Sequence, residues 1–268
     1  MKWLKVGAVI FGALVITTLG IDAADTLQGS KNTLLGQLLS SETTGVCPAG
    51  MIEIPTAGTF KCVDIYEVSA STQCPHPQPS NELQTKENID SSDCVASSEI
   101  DTQPWRFITR EQAVTACMRA GKRLPKSEEW YIASVGTPDD PQKCNIAGTG
   151  VQTTGTKEGC VSASGVFDAI GNVWEWTSDD VINGQYNGRA LPEAGYVNQV
   201  DAQGVATLTS GQPSTLFYDD YLWSSKDGAF GILRGGFYGS KSDGGVYAVH
   251  AQTLPTSVGT AIGFRCVK

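Results

Sequence analysis

Eight cysteines constrain this chain more than any other feature: Cys47, Cys62, Cys74, Cys94, Cys117, Cys144, Cys160 and Cys266. The number is even and no Cys-x-x-Cys pair occurs, so the expected use is cross-linking rather than metal binding. Eight cysteines admit roughly a hundred connectivities. Spacing favours three local pairs, Cys47 with Cys62, Cys74 with Cys94 and Cys144 with Cys160, which leaves Cys117 for Cys266. Such staples suit a domain in which loops outweigh ladders, and 30 glycines and 12 prolines imply many loops and turns.

Disulfides persist in oxidising compartments, and the N-terminus agrees with export. Lys2 and Lys5 precede an uncharged run over residues 6–21, followed by Asp22-Ala23-Ala24-Asp25. This is the layout of a secretory signal. As a helix the run reaches about 24 Å, against about 30 Å for a hydrocarbon core. Residues 1–24 are therefore expected to be a signal peptide or an N-terminal membrane anchor, and the protein to be secreted or on the cell surface. Any membrane contact is expected through this segment only. Residues 25–46 read as a stalk with a Leu-rich patch, and 47–268 as the folded domain. A net charge of −9 argues against nucleic acid as a partner, since no basic surplus is present to neutralise phosphates. The only two histidines, His76 and His250, exclude a three-imidazole metal centre.

Residues 51–54 and 60–66 predict two strands, and 69–104, rich in Ser, Pro, Asp and Gln, a disulfide-pinned surface insertion. The spacing predicts a helix over 109–120, capped by Thr109 with Gln112 and stopped by Gly121, with Ala113, Ala116 and Cys117 facing inward. A shorter helix carrying Trp130 is expected over 127–135. Residues 178–231 read as long loops with short strands. Arg123, Arg234 and Arg265 stand beside turn glycines or a proline, where a guanidinium can bond several loop carbonyls. Trp130, Trp174 and Trp176 are expected in the core. The pairs Asp179-Asp180 and Asp219-Asp220, and His76, read as solvated.

Four motifs in order, Lys122-Arg123-Leu124-Pro125 leading to Trp130, Gly171-Asn172-Val173-Trp174-Glu175-Trp176-Thr177, Leu233-Arg234-Gly235-Gly236 and Gly263-Phe264-Arg265-Cys266, resemble the formylglycine-generating enzyme (sulfatase-modifying factor) family. The resemblance runs from about Cys47 to Lys268. It implies an α+β, C-type-lectin-like fold of the formylglycine-generating-enzyme type, loop-rich and disulfide-stabilised. Function lives in the site and not in the fold. Family enzymes hold copper with two cysteines after Arg-Gly-Gly, because thiolates are soft Cu(I) ligands. Those positions fall here on Ser240 and Gly245, so no copper is expected and no catalytic residue is assigned.

The segment 234–266 also resembles the variable region of proteins diversified by retroelements. The frame is Arg234-Gly235-Gly236, Gly245-Val246-Tyr247-Ala248, Pro255 and Ile262-Gly263-Phe264-Arg265. Exchangeable positions between these would form a binding surface on a rigid scaffold. The resemblance implies ligand binding by Phe237, Tyr238, Gly239, Ser240, Asp243, Tyr247, His250, Gln252, Thr253 and Ser257, with Tyr247 equally placed to be framework. A protein or glycan on another cell or phage is the expected partner. Family members also bind calcium through loop oxygens, and Asn172, Glu175, Asp168 and Asn145 match that role here. The alternatives are an oxidoreductase of the same family and a structural envelope protein.

Overall fold

A computed structural model describes residues 46–55 and 58–268; the expected leader and all but the last residue of the stalk lie outside them. Cys47–Lys268 form one compact unit. It opens with β1 (Met51–Glu53) and β2 (Cys62–Asp64), an antiparallel pair. The insertion that follows carries β3 (Ser69–Ala70), α1 (Glu82–Asp90) and β4 (Ala96–Ser97). Helix α1 is a departure from the sequence reading. Its only apolar residues are Leu83 and Ile89, too few for an amphipathic stripe, but Asn81 caps it by accepting from Gln84 N.

Helix α2 (Arg110–Arg119) starts at Thr109 with both halves of the capping box in place. Ala113, Ala116 and Cys117 are buried on its inner face. Helix α3 (Ser127–Ser134) has its N-terminal amide at Ser127 held by the Asp179 carboxylate at 2.6 Å. Asp179 is thus a helix anchor, not a solvated loop residue, and Asp180 pairs with Arg110 at 2.6 Å. His76 likewise has a partner, Glu87, at 2.5 Å.

The rest is mainly sheet, so α+β is only an approximate class. The strands are β5 (Trp174–Ile182), β6 (Gln185–Tyr186), β7 (Arg189–Ala190), β8 (Gly195–Val200), β9 (Ala206–Ser210), β10 (Tyr221–Ser224), β11 (Ala229–Arg234), β12 (Val249–Thr253) and β13 (Ile262–Phe264). Their order is β7-β6-β5-β11-β12-β10-β8-β9, with β13 on β5. The stretch expected as long loops with short strands therefore supplies much of the main sheet. Its strands are mostly short or bulged, which is why period-two patterning is faint there.

Four disulfides close: Cys47–Cys62, Cys74–Cys94, Cys117–Cys266 and Cys144–Cys160. Arginines act as expected of a loop-rich interior. Arg265, fully buried, reaches the carbonyls of Asp64, Ile65 and Phe167 while pairing with Glu175 through Nε at 2.6 Å and Nη2 at 2.5 Å. Arg234 donates to Gly204 O and Val246 O and lies 5.0 Å from the Trp130 ring centre. Each guanidinium supplies donors that a longer ladder would otherwise provide.

Candidate functional site

The turn after β11 is built on two other loops by main-chain bonds. Gly171 N donates to Gly235 O, Tyr238 N to Asn172 O, Gly148 N to Tyr238 O, and Lys241 N to Ile146 O. Gly235 is needed for this docking: its φ is +89°, and a Cβ there would overlap the Ala169 carbonyl. The Ser240 hydroxyl accepts from Phe237 N at 2.9 Å and closes the turn.

This turn forms one side of a cleft of about 270 Å³ lined by Trp174, Trp223, Phe237, Gly239, Ser240, Asp243 and His250. Strand register builds the other side. Trp223 of β10 lies directly beside His250 of the parallel β12, and their rings stack at 5.4 Å. Trp174, the first residue of β5, meets Trp223 edge-on at 5.6 Å and 89°. Trp174 is only 8% exposed, but it is a cleft wall as well as core; Trp130 and Trp176 are core alone. No local pattern in the sequence singles out Trp223, because only the parallel β10–β12 pairing brings it to His250.

Of the residues expected to bind ligand, Phe237, Gly239, Ser240, Asp243 and His250 therefore meet in one cleft. Tyr238 adjoins it, its ring edge-to-face with Phe237 at 5.1 Å. Thr253 bonds the His250 ring at 2.7 Å and orients it. Gln252 is exposed on the same strand and Ser257 lies in a turn beyond it; neither lines the cleft. Tyr247 belongs elsewhere, among Tyr131, Phe217 and Tyr218.

Burial lowers the His250 imidazole to about 4, so the ring is neutral at physiological pH. Between 6.5 and 4 the unfolded chain takes up a proton here that the folded chain does not. This residue's contribution to stability is therefore complete above 6.5 and lost as pH falls toward 4. An NMR titration of the His250 ring should show a midpoint near 4; a midpoint above 6 would mean a solvated ring.

A second hollow, about 570 Å³, lies between Asp139, Ile146, Tyr218, Asp219 and Lys241. It shares none of the ligand residues expected from sequence. Beside it the Asp219-Asp220 pair departs from the expected solvated face, because Asp220 is fully buried. One Asp220 oxygen accepts from Tyr247 N at 2.7 Å. The other occupies the space where a side chain at Gly245 would begin. A Cβ at Gly245 would overlap it, so this position has no room for a cysteine while Asp220 stays where it is. Gly245→Ala is expected to lower stability by about 1–3 kcal/mol, read by urea unfolding, and Asp220→Gly should recover part of that loss.

Several of the oxygens matched to calcium accept from N–H donors, while Asn145 takes part as a donor. Asn172 Oδ1 accepts from Asn145 Nδ2 and Gln152 N, Asp168 Oδ2 from Gly155 N, and the Glu175 carboxylate from Arg265 and Trp130. Among the described residues no three His, Cys, Asp or Glu side chains group as metal ligands. What these side chains form here is a buried hydrogen-bonded network. Glu67 accepts from Asn172 Nδ2 and Val173 N, and burial, Asp168 and Glu175 raise it well above the usual carboxylate range. Burial raises Asp168 to about 6.

The family comparison agrees with the resemblance read from the sequence. The family model for the sulfatase-modifying factor enzyme 1-like domain matches residues 63–268. A serine/threonine-protein kinase, Pkn1 of Chlamydia trachomatis serovar L2, is 28% identical over 159 residues. That match covers 55% of this chain and 21% of the kinase, so the chain spans about a fifth of that relative's length. Among solved structures, the Major Tropism Determinant I1 variant is 20% identical with a TM-score of 0.46, over 83% of this chain and 53% of that one. The chain thus spans about half of that structure's length. Treponema denticola variable protein 1 is 14% identical with a TM-score of 0.44, over 82% of this chain and 99% of that one.

Proposed function

This chain belongs to the sulfatase-modifying factor enzyme 1-like domain family, and from that premise we propose that it is a non-catalytic ligand-binding protein, exported or displayed at the cell surface. Its site is the cleft between Trp174, Trp223, His250 and the 237–243 turn. The ligand is a protein or glycan on another cell or phage. The observation that carries this reading is convergence. Residues of the exchangeable C-terminal segment meet two tryptophans from outside that segment in one concave, aromatic-lined site, the usual character of a ligand pocket. The family's copper chemistry has no place to start, because Ser240 is a turn residue and Gly245 has no space for a thiolate.

The test is to sequence the DNA around this gene in several cells. The expected result is a second copy of codons 234–266 that differs almost only at adenines, with changes concentrated at Gly239, Ser240, Asp243 and His250. A single invariant copy would remove the diversified reading. Stoichiometric copper binding with oxygen consumption on a Cys-containing peptide would replace ligand binding with oxidase chemistry.

A further inference from the structure

Resting on the reading of this cleft as a ligand site, we infer that it receives a cationic side chain of the lysine type from a protein ligand. The lining is mostly aromatic. The indoles of Trp174 and Trp223 stand perpendicular, His250 stacks on Trp223 at 5.4 Å, and Phe237 closes the turn side. Aromatic faces carry negative quadrupole potential and attract a cation within about 6 Å of the ring centre. The only formal charge on the lining is Asp243, which forms no ion pair among the described residues.

No lysine or arginine contributes to the lining, and His250 adds no positive charge while its ring is neutral. Burial and the nearby Asp219 hold the Asp243 carboxyl above its usual range, with Lys241 offsetting this only in part. Its charge is thus under-compensated in the free protein, and a guest ammonium would supply the missing partner. A chain of net charge −9 would add long-range attraction for a basic surface. An apolar guest or a neutral sugar would use the rings but gain nothing from Asp243.

The experiment titrates the full chain with N-acetyl-lysine methylamide and, separately, with N-acetyl-2-aminoheptanoic acid methylamide, whose neutral side chain has the same number of heavy atoms, and with a methyl glucoside. The indole N–H signals of Trp174 and Trp223 are followed by NMR. The expected result is saturable binding of the lysine amide, at least fivefold tighter than the aminoheptanoic amide and the glucoside. Asp243→Asn should erase that difference at an unchanged melting temperature, and Asp243→Glu should retain it. Equal affinity for the lysine and aminoheptanoic amides, tighter binding of the glucoside, absence of saturation, or an Asn variant that keeps the preference would each overturn the assignment. A failed titration alongside a diversified second gene copy would remove the charge assignment and leave ligand binding standing. An invariant gene with a positive titration would do the reverse.

Discussion

Replacing Arg265 with methionine is expected to cost about 3–5 kcal/mol of folding stability, as removal of one partner of a buried ion pair does. The guanidinium is fully buried, holds both oxygens of Glu175, and reaches three loop carbonyls. Without it Glu175 keeps only the Trp130 indole at 2.7 Å. The loss should depend on pH in a defined direction. Arg265 also lowers Glu67 and Asp168, so its removal raises these buried carboxyls further. A carboxyl whose folded value lies above its unfolded value favours the folded state at low pH, and that contribution is lost as pH rises through the folded value. The deficit of Arg265→Met should therefore be larger at pH 8 than at pH 5. The double variant Arg265→Met/Glu175→Gln should recover part of it. Urea unfolding at the two pH values is the measurement. A deficit below about 1 kcal/mol, or one that grows toward pH 5, would mean that the network does not carry the core.

The second large effect belongs to Cys117–Cys266. It closes a loop with a sequence separation of 149, the longest of the four. Chain entropy alone assigns it about 5 kcal/mol, against about 3 for Cys144–Cys160 at a separation of 16. Replacing both Cys117 and Cys266 by alanine should therefore be the more damaging of the two deletions in thermal unfolding. The reason extends beyond entropy: this bridge ties the inner face of α2 to the residue after Arg265, and Cys266 N donates to the buried Asp64 carboxylate. Equal losses from the two deletions would indicate that long-loop closure is not what the bridge contributes.

What was legible in the sequence is local or covalent. Helix α2 carries its own start and stop in Thr109, Gln112 and Gly121, and the cysteines have few sensible local partners. The arginines beside turn glycines state their role through chemistry alone. Helix α1 is hidden because only Leu83 and Ile89 in it are apolar, with only an asparagine cap to mark it. The cleft was half legible. Its turn side lies in one continuous segment, Phe237 to Asp243, whereas Trp223 is distant in sequence and reaches His250 only through a parallel pairing that no local pattern encodes. Trp174 reads as core because it is largely core; its exposed edge is a property of the neighbours. Asp220 looks like a loop acid, and is buried because Gly245 leaves space for its carboxylate.

The four main-chain bonds that dock the 235–241 turn onto residues 146–148 and 171–172 have a consequence for the energetics of recognition. Carbonyls and amides dock that turn, so beyond the glycine at Gly235 and the Ser240 hydroxyl its hold does not depend on which side chains it carries. A loop gripped in this way is already ordered before any guest arrives, so little conformational entropy remains to be lost on association. Differences in affinity between versions of this turn should then arise in dissociation rates and contact enthalpy, with association rates and heat capacity of folding nearly common to all of them.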